Sequence, residues 1–105
     1  MMALQIVYTR DARLDYMYFR HYYEKYFPEG LENAARNFIQ TMRVLASFPA
    51  VGRPIGKLPR RCFKIQKTNF TIVYRAAPLR LEVLRILDQR SEKYLKNITG
   101  HDHTH

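Results

Sequence analysis

Ten cations and no acid lie between Glu32 and Glu82: Arg36, Arg43, Arg53, Lys57, Arg60, Arg61, Lys64, Lys67, Arg75 and Arg80. Lysine and arginine at that density suit the oxygens of a polyanion, whether nucleic acid, an acidic protein segment or anionic lipid. The acids gather instead near the start, at Asp11, Asp15, Glu24, Glu29 and Glu32, and the chain as a whole carries a formal net charge of +9. Other reactive residue types are sparse. Cys62 is the only cysteine, so no internal disulfide can form, which fits a reducing cytoplasm, and it reads as a small packed thiol rather than a nucleophile. His101, His103 and His105 alternate in a polar tail. Such a tract can take a metal, yet a loosely held terminus accounts for it, so no metal site is assigned. No glycine loop of the phosphate-binding type occurs, nor any His/Cys/Asp cluster outside that tail, and no cofactor is expected.

The elements that must carry these cations follow from the hydrophobic periods. Leu4 to Tyr8 alternates as a strand, and Thr9 has the side chain of a helix N-cap, with Asp11 in the first turn after it. Ala12, Tyr16, Phe19, Tyr23 and Tyr26 then recur at helical spacing up to a break at Pro28-Glu29-Gly30. Leu31, Ala35, Phe38, Met42 and Leu45 mark a second helix, antiparallel to the first across that short break. Prolines and glycines make a loop of Phe48 to Pro59. Three strands are predicted after it: Arg61 to Lys67, Phe70 to Arg75 and Leu81 to Leu87, with turns at Thr68-Asn69 and Ala77-Pro78, and then a short helical turn within Ser91 to Ile98.

The order β-α-α-β-β-β predicts an α+β domain in which the helical hairpin packs on one face of a mostly antiparallel sheet. At 105 residues, with 47% hydrophobic residues, the chain has the size of one folded domain, assigned to residues 1–98 and followed by a polar tail, 99–105. No signal peptide or span of about 20 apolar residues is seen, so a soluble cytoplasmic protein without membrane association is expected. Aromatics crowd the first helix at Tyr16, Tyr18, Phe19, Tyr22, Tyr23, Tyr26 and Phe27. Most belong to the core and its water boundary; Tyr18 and Tyr22 fall off the core stripe and suit a protein interface.

Four local patterns together resemble the ParE/RelE superfamily of toxins from bacterial type II toxin–antitoxin modules, and within it the ParE branch. They are Ala12-x-x-Asp15-Tyr16-x-x-Phe19-x-x-Tyr22, Leu45-Ala46-x-Phe48-Pro49-x-x-Gly52-Arg53-Pro54, Phe70-x-Ile72-Val73-Tyr74-Arg75 and Val83-Leu84-Arg85-Ile86-Leu87. The resemblance implies one of two mechanisms. ParE-like proteins block DNA gyrase and have no chemistry of their own; RelE-like proteins are ribosome-dependent, metal-independent mRNA endonucleases. On the second alternative Lys64, Arg85, Arg90 and Tyr94 would stabilise charge and move protons. Lys64 and Tyr94 resemble positions of a functional lysine and tyrosine in RelE proteins, whereas Gln66, Thr71 and Asp88 stand where that pattern has cations. Free lysine and tyrosine titrate near ~10.4 and ~10, so a site short of cations is poorly placed to use them at neutral pH.

The ParE-like reading is therefore the one adopted. On it Arg53, Lys57, Arg60, Arg61, Lys64, Arg75, Arg85 and Arg90 are the expected target-binding residues. Tyr18 and Tyr22 are expected to meet a cognate acidic antitoxin, giving a toxin–antitoxin hetero-oligomer.

Overall fold

The computed structural model describes residues 3–98. The tail 99–105, with its alternating histidines, lies outside the described residues. Strand β1 (Gln5–Tyr8) leads into helix α1 (Arg10–Tyr26), a 3-10 turn at Pro28–Gly30, and helix α2 (Leu31–Ser47). A second 3-10 turn, Pro49–Val51, leads to the two-residue strand β2 (Arg53–Pro54). Then come β3 (Arg61–Lys64), β4 (Phe70–Ala76), β5 (Arg80–Asp88) and the short helix α3 (Glu92–Ile98). No described helix is long and apolar enough to cross a membrane.

The strands form one sheet in the order β1-β5-β4-β3-β2, antiparallel throughout except that β1 runs parallel to β5. The expected α+β architecture stands, with α1 and α2 on one face. Ala12 and Phe19 of α1 and Ala34, Phe38, Met42 and Leu45 of α2 bury against Phe70, Ile72, Tyr74, Leu81, Val83 and Ile86. Phe19 meets Phe70 edge-on at 4.9 Å between ring centroids, a favoured aromatic geometry. The helical stripe departs from expectation at its end. Tyr26 is exposed, whereas Tyr22 packs its ring against Phe70 at 5.6 Å.

Strand limits differ where the backbone had to turn. β3 stops at Lys64 instead of Lys67, since Lys67 takes a left-handed conformation (φ 62°) that no strand accommodates. Thr68 secures that turn: its hydroxyl donates to the Ile65 carbonyl (2.8 Å) and accepts from the Phe70 N–H (3.0 Å). In β5 the register slips by one residue between Val83 and Arg85, opposite Tyr74 and Val73, leaving Leu84 as a bulge. The slip changes the phase of the strand. Val83 and Ile86 both join the helix-side core, while Leu84 and Leu87 pack on the other face with Ile55, Cys62, Val73 and Ile98.

Candidate functional site

Where β1 ends, the outer edge of β5 loses its strand partner, and α1 supplies the missing hydrogen bonds. Thr9, which caps α1 by accepting from the Ala12 N–H at 3.1 Å, also donates its hydroxyl to the Leu84 carbonyl at 2.9 Å. Further along α1, Asp15 accepts from the Ile86 N–H at 2.9 Å and clasps the Arg85 guanidinium at 2.7 and 3.0 Å. Both side chains are largely shielded, 14% and 21% exposed, so the two-point contact holds an ion pair out of bulk water. Asp15 accordingly raises the guanidinium's pKa above its ordinary value.

Other arginines on this side are held in the same way. Arg90 binds Asp88 through two nitrogens at 2.8 and 2.9 Å, and its guanidinium lies over the Tyr22 ring, 5.0 Å from the centroid. The hydrogen bond from that guanidinium is the main reason the Asp88 carboxyl lies below its usual range. Glu82 pairs with Arg75 across the β4–β5 hairpin and with Arg80 on its own strand.

The β2–β3 end of the sheet has another character. Tyr74 lies fully buried beneath it; its hydroxyl donates to the Pro49 carbonyl (2.6 Å) and accepts from the Gly52 N–H (2.9 Å). Gly52 leaves room for that hydroxyl: a Cβ there would meet the Tyr74 Cε1 at 2.8 Å and the Cys62 carbonyl oxygen at 2.9 Å. Arg61 donates to the Gly52 carbonyl at 2.8 Å and completes the clamp. The clamp sets β2 against β3, so that Arg53 stands opposite Cys62 and, two residues along, Lys64 opposite Thr71.

All four positions share the sheet face turned away from the helical hairpin. Beside them is an open hollow of about 300 Å³ lined by Val51, Arg53, Cys62, Phe63, Lys64, Thr71, Gln89 and Tyr94. Burial pushes the Cys62 thiol pKa up, as fits a packing residue.

The expected site residues thus divide. Arg53, Lys64 and Tyr94 meet at the hollow; Lys57 and Arg60 lie on the loop leading into β3, where Arg60 lines a separate hollow. Among the described residues Arg53, Lys57, Arg60 and Lys64 form no ion pair, whereas Arg61, Arg75, Arg85 and Arg90 are engaged within the fold. Arg85 and Arg90 face α1 partners and do not line the hollow. Tyr18 is exposed beside Leu14 and Met17, forming with the end of β5 and the start of α3 a groove of about 530 Å³; Tyr22 is partly taken up by Phe70 and Arg90. Gln89 carries no local signal as a site residue, and Thr71 is marked in the sequence only as standing where the RelE pattern has a cation.

A family model described as the ParE toxin of type II toxin–antitoxin system, parDE, matches residues 6–93. Among solved structures, a chain of the chromosomal ParDE TA system from P. aeruginosa superposes with a TM-score of 0.67 at 22% identity, covering 80% of this chain and 94% of that one. At that identity the likeness is one of fold. Curated protein sequences return no match.

Proposed function

This chain belongs to the ParE toxin family of type II toxin–antitoxin systems, and we propose that it blocks DNA gyrase by binding and is itself neutralised by an acidic antitoxin. The observation that carries the choice of mechanism is the division of the would-be nuclease set. Lys64 and Tyr94 line the hollow, while Arg85 and Arg90 are spent on Asp15 and Asp88 on the α1 side. A phosphorane needs its cations gathered around one phosphorus, and these are not. Binding a protein target makes no such demand. Arg53, Lys57, Arg60 and Lys64, which form no ion pair among the described residues, suit an acidic target surface or the DNA it holds.

Neutralisation rests on the groove beside α1. Leu14 and Tyr18, 52% and 54% exposed, line it with Asp15, Asp88, Glu92 and Lys93, so the groove itself suits an apolar segment, and an acidic stretch of the antitoxin would meet the cations elsewhere on the molecule.

The deciding experiment adds purified toxin to gyrase and follows supercoiling and cleavage-complex formation, with a programmed-ribosome mRNA assay in parallel. Loss of supercoiling or accumulation of cleavage complexes, without mRNA cleavage, is the expected result. Cut codons in the decoding site with gyrase unaffected would replace this reading with the endonuclease.

A further inference from the structure

At the end of the sheet where β4 stops and the β2–β3 loop turns back, three arginines line one open hollow of about 300 Å³. They are Arg60 from the loop, Arg61 from the start of β3 and Arg75 from near the end of β4, and no acid is among the lining residues. Arg60 and Arg61 are half-buried, and neither forms an ion pair among the described residues. A cation partly withdrawn from water costs free energy that a counter-charge offsets. Arg61 meets only the neutral Gly52 carbonyl, through one nitrogen at 2.8 Å, which leaves further N–H donors of its fork unused. Arg75 is paired but not neutralised, since Glu82 divides its carboxylate between Arg75 and Arg80. The hollow therefore keeps a surplus of positive charge and of donors.

Its walls are fixed by the fold. Ile55 is fully buried and anchors the loop, whose ends close through the Ile55 N–H on the Arg60 carbonyl at 3.0 Å. The Leu58 N–H returns to the Ile55 carbonyl at 3.1 Å, and Gly56 supplies the left-handed residue (φ 53°) that the turn requires. Groups positioned in advance lose little freedom on binding. Pro54, Leu58 and Pro59 give the hollow an aliphatic side. Tyr74, the aromatic residue in its lining, is fully buried and has no open ring on which a base could stack. A guanidinium fork fits a planar carboxylate through two N–H···O bonds, as Arg85 does with Asp15 and Arg90 with Asp88. Cations beside an aliphatic wall thus favour the carboxylate of a peptide over the phosphate of a nucleotide.

We propose that this hollow receives a carboxylate side chain from an acidic segment of a protein partner. Arg60 and Arg61 hold the carboxylate, and Leu58 with the two prolines packs against the neighbouring residue of the segment. The site requires neither gyrase as target nor neutralisation at the α1 groove, and the peptide assay that tests it can fail with both of those readings intact.

The test is anisotropy of a fluorescein-labelled, amidated Glu-Glu-Leu-Glu-Glu peptide with the full chain, alongside thermal melting of each variant. The same peptide with glutamine at every glutamate should bind about tenfold more weakly or worse, and affinity for the acidic peptide should fall as salt rises. Arg60→Gln removes the charge from a side chain that forms no ion pair in the fold. It should weaken binding by about tenfold with Tm unchanged, and Arg60→Lys should recover only part of that, since lysine has the charge without the fork. Lys67→Gln removes an equal charge at the β3–β4 turn and should change binding by less than about twofold. Leu58→Ser should cost about threefold through the lost apolar contact.

Equal losses from Arg60→Gln and Lys67→Gln would overturn the proposal, because they would show attraction to the net charge rather than to a site. So would equal binding of the glutamine peptide, or a folded protein that ignores the acidic peptide at millimolar concentration. A further overturning result is tighter binding of single-stranded dT12 than of the peptide, with the same loss in Arg60→Gln; that outcome assigns the hollow to nucleic acid.

Discussion

The two ends of the sheet use arginine and lysine in opposite ways. Along β5 the cations are matched: Arg85 by Asp15, Arg90 by Asp88, and Arg75 and Arg80 by Glu82. Across β2 and β3, Arg53 and Lys64 stand without acids, and the backbone beneath them is locked by Tyr74, Gly52 and Arg61. The same residue types therefore stabilise the fold at one end and are left available at the other. A net charge of +9 conceals this, because it gives the excess of cations over acids without saying which cations are paired. What distinguishes a binding cation from a structural one is whether its counter-charge is intramolecular.

The largest expected effect lies at the matched end. Asp15→Ala strands the shielded Arg85 guanidinium and removes the acceptor of the Ile86 N–H. It should cost about 3 kcal/mol in chemical denaturation, whereas Lys57→Ala or Lys64→Ala should stay within about 0.5 kcal/mol. Equal losses at both ends would dissolve the distinction.

Next comes the lock under the unmatched end. Gly52→Ala forces a Cβ against the Tyr74 ring and the Cys62 carbonyl, and should cost about 2 kcal/mol. Stability unchanged in that variant would mean that the β2–β3 edge is loose rather than held ready.

The smallest effect is a pH dependence. Because Arg90 holds the Asp88 carboxyl below its ordinary value of 3.8, the pair contributes stability that is complete above that pH and disappears as pH falls through the folded-state value. Melting curves of the intact chain and of Asp88→Asn should differ near neutrality and converge in strong acid. A constant gap down to pH 2 would show that the pairing of Asp88 contributes nothing through its charge.

Much of the architecture was legible in the chain. Thr9 as an N-cap, the α1 stripe through Ala12 and Phe19, the break at Pro28-Glu29-Gly30 and the paired strands around Ala77-Pro78 all follow from local rules. Less legible was whatever depended on a distant neighbour. Tyr26 satisfied the helical period and is nonetheless exposed; Lys67 continued a strand-like alternation and is a turn. Arg85 and Arg90 looked equivalent to Arg53 and Lys64, since sequence shows a charge without its partner.

By itself, then, the sequence determined the order and kind of the elements, the single-signed middle of the chain and the family patterns. Periodicity, capping and turn chemistry act over a few residues, which is why they can be read in a line. The tertiary structure decided which cations are spent and which are available. Asp15 reaches Arg85 across 70 positions only because the first strand docks beside the last in a β1-β5-β4-β3-β2 sheet. It also decided that the Thr71 hydroxyl would be buried between Lys64 and Leu87 with no partner of its own, a matter of strand register that no local pattern encodes.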